Sequence, residues 1–320
     1  MSHDGAPEDL GPTRRLPGPS RREVIEGLAA ELEAGGVPGA RNEAERLVAH
    51  VLGLTRTDLL LHSHLVVGPQ EAGRMAAISR GRLSGIPLQH IEGTVAFRDL
   101  VLVCDGRALV PRPETEELVQ QVVDWVGGVV SSGGVRRVNR PDTSAESPLR
   151  VALDIGTGSG AIALSLLQEG LARRAVAIDV SQTALEQAAE NAAKLGLEER
   201  IEFRKTEGSP WESVAREEVF DVIVSNPPYI EDAAIATLPT EVRDYDPRPA
   251  LAGGLDGLDV IREIAAGAPS HVRSGGGLFL EVGSDQGERV RRLLDGDGSW
   301  NHVRIEPDLA GRSRFVIALV

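Results

Sequence analysis

Ser225-Asn226-Pro227-Pro228-Tyr229 sets an amide, two prolines and an aromatic ring in a single turn. That combination suits methylation of a planar NH2 group. An amide or aromatic amine nitrogen is a poor nucleophile because its lone pair is delocalised. Two acceptors that hold both of its N–H bonds favour pyramidal geometry and make that pair available. The side-chain oxygen of Asn226 and the main-chain carbonyl of Pro227 can serve as those acceptors. Pro228 fixes the turn, and Tyr229 offers a flat face to the planar group. No base is required before attack, because the proton leaves after the methyl arrives, so rate comes from alignment and preorganised dipoles. Standing alone, the same run could be an ordinary proline turn at a strand end.

A second cluster, Asp154-Ile155-Gly156-Thr157-Gly158-Ser159-Gly160, separates a strand from a helix. Glycines there let main chain approach a ligand and open a helix N-terminus toward it. Gly156, Thr157, Gly158, Ser159 and Gly160 are therefore candidate cofactor contacts. Gly156, Gly158 and Ala161 also satisfy the dinucleotide fingerprint, so the loop alone does not exclude a nicotinamide cofactor. Asp179, at the end of the next strand, can accept both hydroxyls of a ribose in either case. Three glycines packed against a nucleoside without pyrophosphate favour S-adenosylmethionine, as does Asp154, which can balance an amino acid ammonium. The plain alternative for Asp154 is a turn acceptor.

Both clusters need strand ends brought side by side, and the hydrophobic pattern supplies them. Val151 to Ile155 reads as a first strand, Ala161 to Gln168 as a helix, and Ala175 to Ile178 as a second strand. Ser181 caps a helix through Lys194 that stops at Gly196. Ile201 to Phe203, Val219 to Ser225 and Leu278 to Val282 follow as strands. His302 to Ile305 and Phe315 to Leu319 complete seven, paired antiparallel across a short loop. Such alternation implies an α/β fold, a mostly parallel sheet with helices on both faces.

Upstream, residues 20–86 read as a small helical bundle. Val24, Leu28 and Leu32 form one stripe, Leu47, Val48, Val51 and Leu52 another, and Pro69 to Gly85 a third helix. Residues 87–110 read as a hairpin linker around Arg98-Asp99. The main domain is then 111–320, opening with a helix whose Leu118, Val122, Trp125 and Val126 share a face. Glu114 and Glu116 suit that helix's dipole. Residues 1–19 are expected to be a disordered tail, and the polar stretch 127–148 a flexible insertion away from chemistry.

Composition narrows the partners. A formal net charge of −14 argues against a general nucleic-acid binder, which must neutralise phosphates with Lys and Arg. Arg136-Arg137 and Arg140 form one short basic cluster, read as part of a solvated loop. The single Cys104 excludes an internal disulfide and any multi-cysteine metal site. The seven histidines lack paired ligand spacing, so no metal is expected. Apolar runs are far short of a membrane span, and the first twenty residues lack a signal peptide's apolar core. A cytoplasmic monomer is the expectation.

The motifs, taken in order, resemble the HemK/PrmC family of glutamine N5-methyltransferases, which modify the Gly-Gly-Gln loop of peptide chain release factors. The likeness runs from about Ser20 onward. It includes Pro87-Leu88-Gln89-His90-Ile91-Glu92-Gly93 with Phe97, then Pro111-Arg112-Pro113-Glu114-Thr115-Glu116. The donor loop and the Asn226 to Tyr229 turn match too. Glu241-Val242-Arg243-Asp244-Tyr245, Gly253-Gly254 with Asp256-Gly257-Leu258, and Glu281-Val282-Gly283 with Gln286-Gly287 follow.

The resemblance implies a class I S-adenosylmethionine-dependent methyltransferase, Rossmann-like, with a seven-stranded sheet and an antiparallel last strand. It implies that Gly156 to Gly160, Asp179 and Asn226 hold the donor. Asn226, Pro227, Pro228 and Tyr229 would hold the substrate glutamine, with the helical front end gripping the release factor. The chain departs from the family pattern near the adenine. Counting back from Asn226 puts Trp211 there with Pro210 in place of a common Asp, whereas counting forward from Ile201 puts Glu207 there. The favoured reading is Trp211. Rivals are a ribosomal-protein glutamine methyltransferase, a DNA adenine N6-methyltransferase, whose base-flipping face this acidic chain lacks, and a silent binding module.

Overall fold

The computed structural model describes residues 18–128, 148–296 and 298–320. Residues 1–17 of the expected 1–19 tail, residues 129–147 of the expected insertion, and the cluster Arg136, Arg137 and Arg140 lie outside the described residues. The chain divides into two compact units, Met1–Ile91 and Glu92–Val320.

The first unit is helical: α1 (Arg21–Ala34), α2 (Ala40–Leu52), α3 (Arg56–Leu61), α4 (Pro69–Leu83) and the start of α5 (Leu88–Glu92). Ser20 and Glu23 close a capping box on α1, satisfying amides that the first turn leaves unpaired. The apolar stripe of α1 is Ile25, Leu28 and Leu32, all buried; Val24 lies at its edge. They meet Leu47, Val48 and Val51 of α2, Leu59 of α3 and Met75 of α4. Buried Glu45 is compensated by Arg41 and Arg56, at 3.0 and 2.7 Å. The short α3 is absent from the sequence reading, and α4 ends two residues before Gly85.

In the second unit a hairpin, β1 (Thr94–Phe97) and β2 (Leu100–Val103), comes first. Sequence alone makes it a linker, but Phe97, Leu100 and Leu102 are buried in the unit's core. Arg98 at its tip has φ +49°, a left-handed conformation uncommon outside glycine. Its guanidinium is held by Glu169 and by the Glu116 carbonyl.

Then come α6 (Pro113–Gly127), β3 (Leu149–Ile155), α7 (Ala161–Gln168), β4 (Ala172–Asp179), α8 (Gln182–Leu195), β5 (Ile201–Lys205) and β6 (Phe220–Ser225). They are followed by α9 (Thr240–Arg243), α10 (Asp259–His271), β7 (Val272–Glu281), α11 (Gly287–Asp295), β8 (His302–Pro307) and β9 (Ser313–Leu319). The sheet order is β5-β4-β3-β6-β7-β9-β8, with β9 antiparallel to both neighbours and the other pairs parallel.

Strand side chains alternate between two cores, as a period of two demands. Ala152, Val222, Val224 and Phe279 face α6, α7 and the hairpin. Leu153, Ile155, Ile223 and Leu280 face α10 and α11. The strand order reverses between β3 and β6, and open α/β sheets bind ligands at the carboxyl ends flanking such a reversal. Among the described residues no helix is long and apolar enough to cross a membrane.

Candidate active site

The two clusters singled out in the sequence end adjacent strands. Asp154 pairs in register with Val224 and Ile155 with Ser225. Ser225 Oγ then donates to the Ile155 carbonyl at 2.6 Å, joining the root of the glycine loop to the root of the Asn-Pro-Pro-Tyr turn.

On the β3 side the main chain of Gly156 and Thr157 donates to Ile178 of β4, at 2.8 and 3.0 Å. The three loop glycines all have positive φ, +71°, +56° and +83° for Gly156, Gly158 and Gly160, but they do different work. A Cβ on Gly160 would come within 2.9 Å of Leu164 and 3.2 Å of Ala188, so this glycine lets α7 pack. A Cβ on Gly156 would meet nothing within 4 Å, and one on Gly158 only Ala108 at 3.9 Å. Those two keep a cradle open beside the α7 N-terminus.

Asp154 is wholly buried. Its Oδ2 accepts from Thr157 Oγ1 (2.7 Å) and the Ala163 amide (3.1 Å), the turn-acceptor role, while Oδ1 has no partner among the described residues. Burial pushes its pKa up to about 7. Thr157 turns its hydroxyl inward to Asp154, and Ser159 is buried with its carbonyl taken by Asn191 at 2.9 Å. At Thr157 the hydroxyl is therefore already used within the loop.

Asp179 is nearly buried, and its two carboxylate oxygens accept from the Gly158 and Ser181 amides, each at 2.8 Å. These amide bonds favour the charged form, while burial, the larger effect, raises the pKa. Each oxygen keeps a lone pair for a diol. An open glycine cradle next to a carboxylate fixed by main chain fits an adenosine-type ligand.

After β5, the Thr206 amide binds the Asp179 carbonyl at 3.1 Å, so this loop starts beside the ribose carboxylate. Trp211, in a 3-10 turn over Pro210–Ser213, donates its indole N–H to the Glu263 carbonyl of α10 at 2.7 Å and stacks on His271, 5.0 Å between ring centroids. Glu207 is exposed and paired with Lys205 at 2.5 Å. Among the described residues no hydrogen bond joins either side chain to Asp179 or the glycine loop.

On the β6 side, Asn226 Nδ2 donates to Thr115 Oγ1 at 2.9 Å, and Thr115 Oγ1 donates to Glu281 Oε2 at 2.8 Å. The Tyr229 hydroxyl donates to Glu281 Oε1 at 3.3 Å. Glu281 is 1% exposed; burial raises its pKa to about 7, against the Thr115 bond and the positive Arg314. Burial and the neighbouring Glu281 lift Tyr229 to about 12. Asn226 Oδ1 and the Pro227 carbonyl take no hydrogen bond from the described residues. Asn226, Pro227, Tyr229, Glu281, Arg112 and Val242 are among the residues lining a cavity of about 220 Å³.

The turn is braced from behind. Gln286 Nε2 donates to the Tyr229 carbonyl at 2.9 Å. A Cβ on Gly253 would strike the Pro228 carbonyl oxygen at 2.8 Å, and one on Gly257 the Tyr229 carbonyl oxygen at 2.4 Å. Gly253 and Gly257 therefore support the turn by close main-chain approach, and Gln286 by a side-chain hydrogen bond. Sequence reasoning gave Thr115 and Glu281 no role. Their signal was a lone carboxylate closing the apolar run Leu278-Phe279-Leu280.

A larger cavity of about 320 Å³ opens at the amino ends of β3 to β6, lined by Arg174, Arg200, Arg204, Glu202 and Glu218 among others. Arg204 is bound there by Glu202 and Glu218, and Arg200 by main-chain carbonyls. It lies at the opposite strand ends from both motifs.

Residues 23–93 match the PrmC N-terminal domain family and residues 143–241 the Methyltransferase small domain family. A release factor glutamine methyltransferase of Cereibacter sphaeroides is 38% identical over 296 residues, covering 92% of this chain and 97% of its own length. One from Deinococcus radiodurans is 39% identical, covering 93% and 97%. The chain belongs to the release factor glutamine methyltransferase family. The catalytic domain of hMettl16, solved with MAT2A 3′UTR hairpin 6, matches this methyltransferase with a TM-score of 0.52 at 16% identity, covering 78% of this chain and 81% of its own. That likeness concerns the fold, which is the Rossmann-like class I arrangement expected from sequence.

Proposed function

We propose that this methyltransferase transfers a methyl group from S-adenosylmethionine to the side-chain amide nitrogen of the glutamine in the Gly-Gly-Gln motif of peptide chain release factors. One observation carries the chemistry: Asn226 is anchored through its Nδ2, so its Oδ1 is left to accept from a substrate, next to the Pro227 carbonyl at the same cavity. The relatives' substrate supplies the class of acceptor.

When bound, S-adenosylmethionine supplies an electrophilic sulfonium methyl. Gly156 to Gly160 would give it open main chain, Asp179 would take its ribose hydroxyls, and Trp211 would line the adenine side of the loop tied to Asp179. Asn226 Oδ1 and the Pro227 carbonyl each accept one N–H of the substrate amide. They localise the nitrogen lone pair and aim it, a contribution of orientation and preorganised dipoles. Pro228 keeps the turn rigid and Tyr229 packs on the planar amide. Asn226 closes the donor side of the same site.

The protein is proposed to act in the cytoplasm, as a monomer, on a protein and not on nucleic acid, in keeping with its net charge of −14. The test is incubation with methyl-labelled S-adenosylmethionine and purified release factor, either intact or with its Gly-Gly-Gln glutamine replaced by Glu. Label is expected on the intact factor alone. Equal labelling of both would refute the proposal, as would preferential labelling of a ribosomal protein or of DNA offered in parallel.

A further inference from the structure

An asparagine side chain has nearly the same shape with its amide turned either way. Turned wrongly, Asn226 would meet a substrate NH2 with its own NH2, two donors face to face. The proposed chemistry therefore needs something that chooses the orientation, and this inference rests on that proposed function.

Behind Asn226 lies a one-way chain of hydrogen bonds: Nδ2 to Thr115 Oγ1 at 2.9 Å, and Thr115 Oγ1 to Glu281 Oε2 at 2.8 Å. An ionised carboxylate only accepts, and a hydroxyl has one hydrogen. Once Thr115 gives that hydrogen to Glu281, it can only accept from Asn226, which must turn Nδ2 toward it. The other oxygen of Glu281 is occupied by the Tyr229 hydroxyl. Thr115 and Glu281 are 5% and 1% exposed, so water does not replace either link.

We propose that Glu281, acting through Thr115, is a positioning residue that fixes Asn226 with Oδ1 toward the substrate amide. A buried carboxylate at the end of an apolar strand is expensive for folding, and a role at the site accounts for its presence there. The charged groups facing it are Arg314 from β9, which favours ionisation, and Glu114 from α6, which opposes it. When Glu281 is protonated it gains a hydrogen to offer Thr115. The hydroxyl can then donate to Asn226 Oδ1, and the amide is free to turn over. Turnover should accordingly rise with pH as Glu281 ionises, around 7.

The experiment compares Glu281→Gln, Thr115→Val, Thr115→Ser and the double variant Glu281→Gln/Thr115→Val in the full-length protein. It measures methylation of release factor, affinity for S-adenosylmethionine, and affinity for a Gly-Gly-Gln peptide in the presence of S-adenosylhomocysteine. Glutamine at 281 can donate to Thr115 as the carboxylate cannot. Glu281→Gln is expected to lose about 10- to 100-fold in turnover, to bind the peptide more weakly, to keep its donor affinity, and to lose the rise with pH. Thr115→Val should match it, Thr115→Ser should work normally, and the double variant should be no worse than either single, since all act through one chain. The proposal fails if Glu281→Gln keeps wild-type turnover and pH profile, if the single losses multiply in the double variant, or if Thr115→Ser is as damaged as Thr115→Val. Wild-type protein inactive on release factor would instead count against the function, and peptide affinity would still report on the relay.

Discussion

The glycine loop and the amide turn end neighbouring strands, yet they are held together in opposite ways. The loop is local: Asp154 binds Thr157 and Ala163, three and nine residues on, and Asp179 binds Gly158, 21 residues back. The amide turn is held by partners from across the unit, with Asn226 to Thr115 spanning 111 residues and Thr115 to Glu281 spanning 166. In the proposed reading the donor is met by consecutive elements, from β3 to α8. The proposed acceptor is met by a tertiary assembly drawn from α6, β6 and β7.

The comparison is broken most directly by Asn226→Ala. Losing one preorganised polar group at a reacting centre costs about 10²- to 10³-fold, and turnover on release factor should fall by that much while the melting temperature barely moves. A steady-state assay with saturating donor checks it.

Next is the pH dependence of stability. Glu281 sits at about 7 in the folded protein against an ordinary 4.5. Because the folded value is raised, its contribution is fully present below 4.5 and is lost as pH rises through 7, to the extent of roughly 3 kcal/mol. Asp154, raised to about 7 from 3.8 by burial, acts in the same direction. Urea unfolding should therefore show Glu281→Gln gaining stability relative to wild type between pH 5 and 8. Turnover should move the other way, because the ionised form that weakens the fold is the one that orients Asn226.

Gly156→Val probes the local half. A Cβ there meets nothing within 4 Å, so the expected penalty is about 1–2 kcal/mol of left-handed strain plus obstruction of the cradle. Donor affinity measured by calorimetry should drop by at least about tenfold, with affinity for a Gly-Gly-Gln peptide preserved. The smallest effect belongs to Trp211→Leu. If its indole lines the adenine, losing the aromatic contact should raise the donor KM roughly 2- to 10-fold with turnover unchanged.

What could be read from the sequence divides along the same line. The helices α7 and α8, with the Ser181 cap and Gly196 stop, are legible because caps, glycines and apolar periods act over a few residues. The helix α10 is absent from the sequence reading: its Gly267 admits the Trp211 ring and the helix runs on through Pro269. The strand expected over Leu278 to Val282 starts earlier, since β7 spans Val272–Glu281 with an irregularity opposite Phe220 and Val222. The hairpin's pattern was clear, but its docking depends on Asn191 and Gln187 of α8 binding Val103, which no local rule predicts. The roles of Thr115 and Glu281 share that difficulty, since each is mute without the other.

The bond from Ser225 Oγ to the Ile155 carbonyl makes the sheet a ruler. In the proposed reading methyl donor and acceptor are carried by adjacent strands, whose spacing is about 4.8 Å in any sheet. The gap to be crossed in the reaction is therefore gauged by backbone hydrogen bonding and not by either substrate. Loops beyond the turn can diverge to accept other amides without recalibration. An insertion of a single residue within β6 would turn Asn226 to the opposite face and lose the measurement altogether.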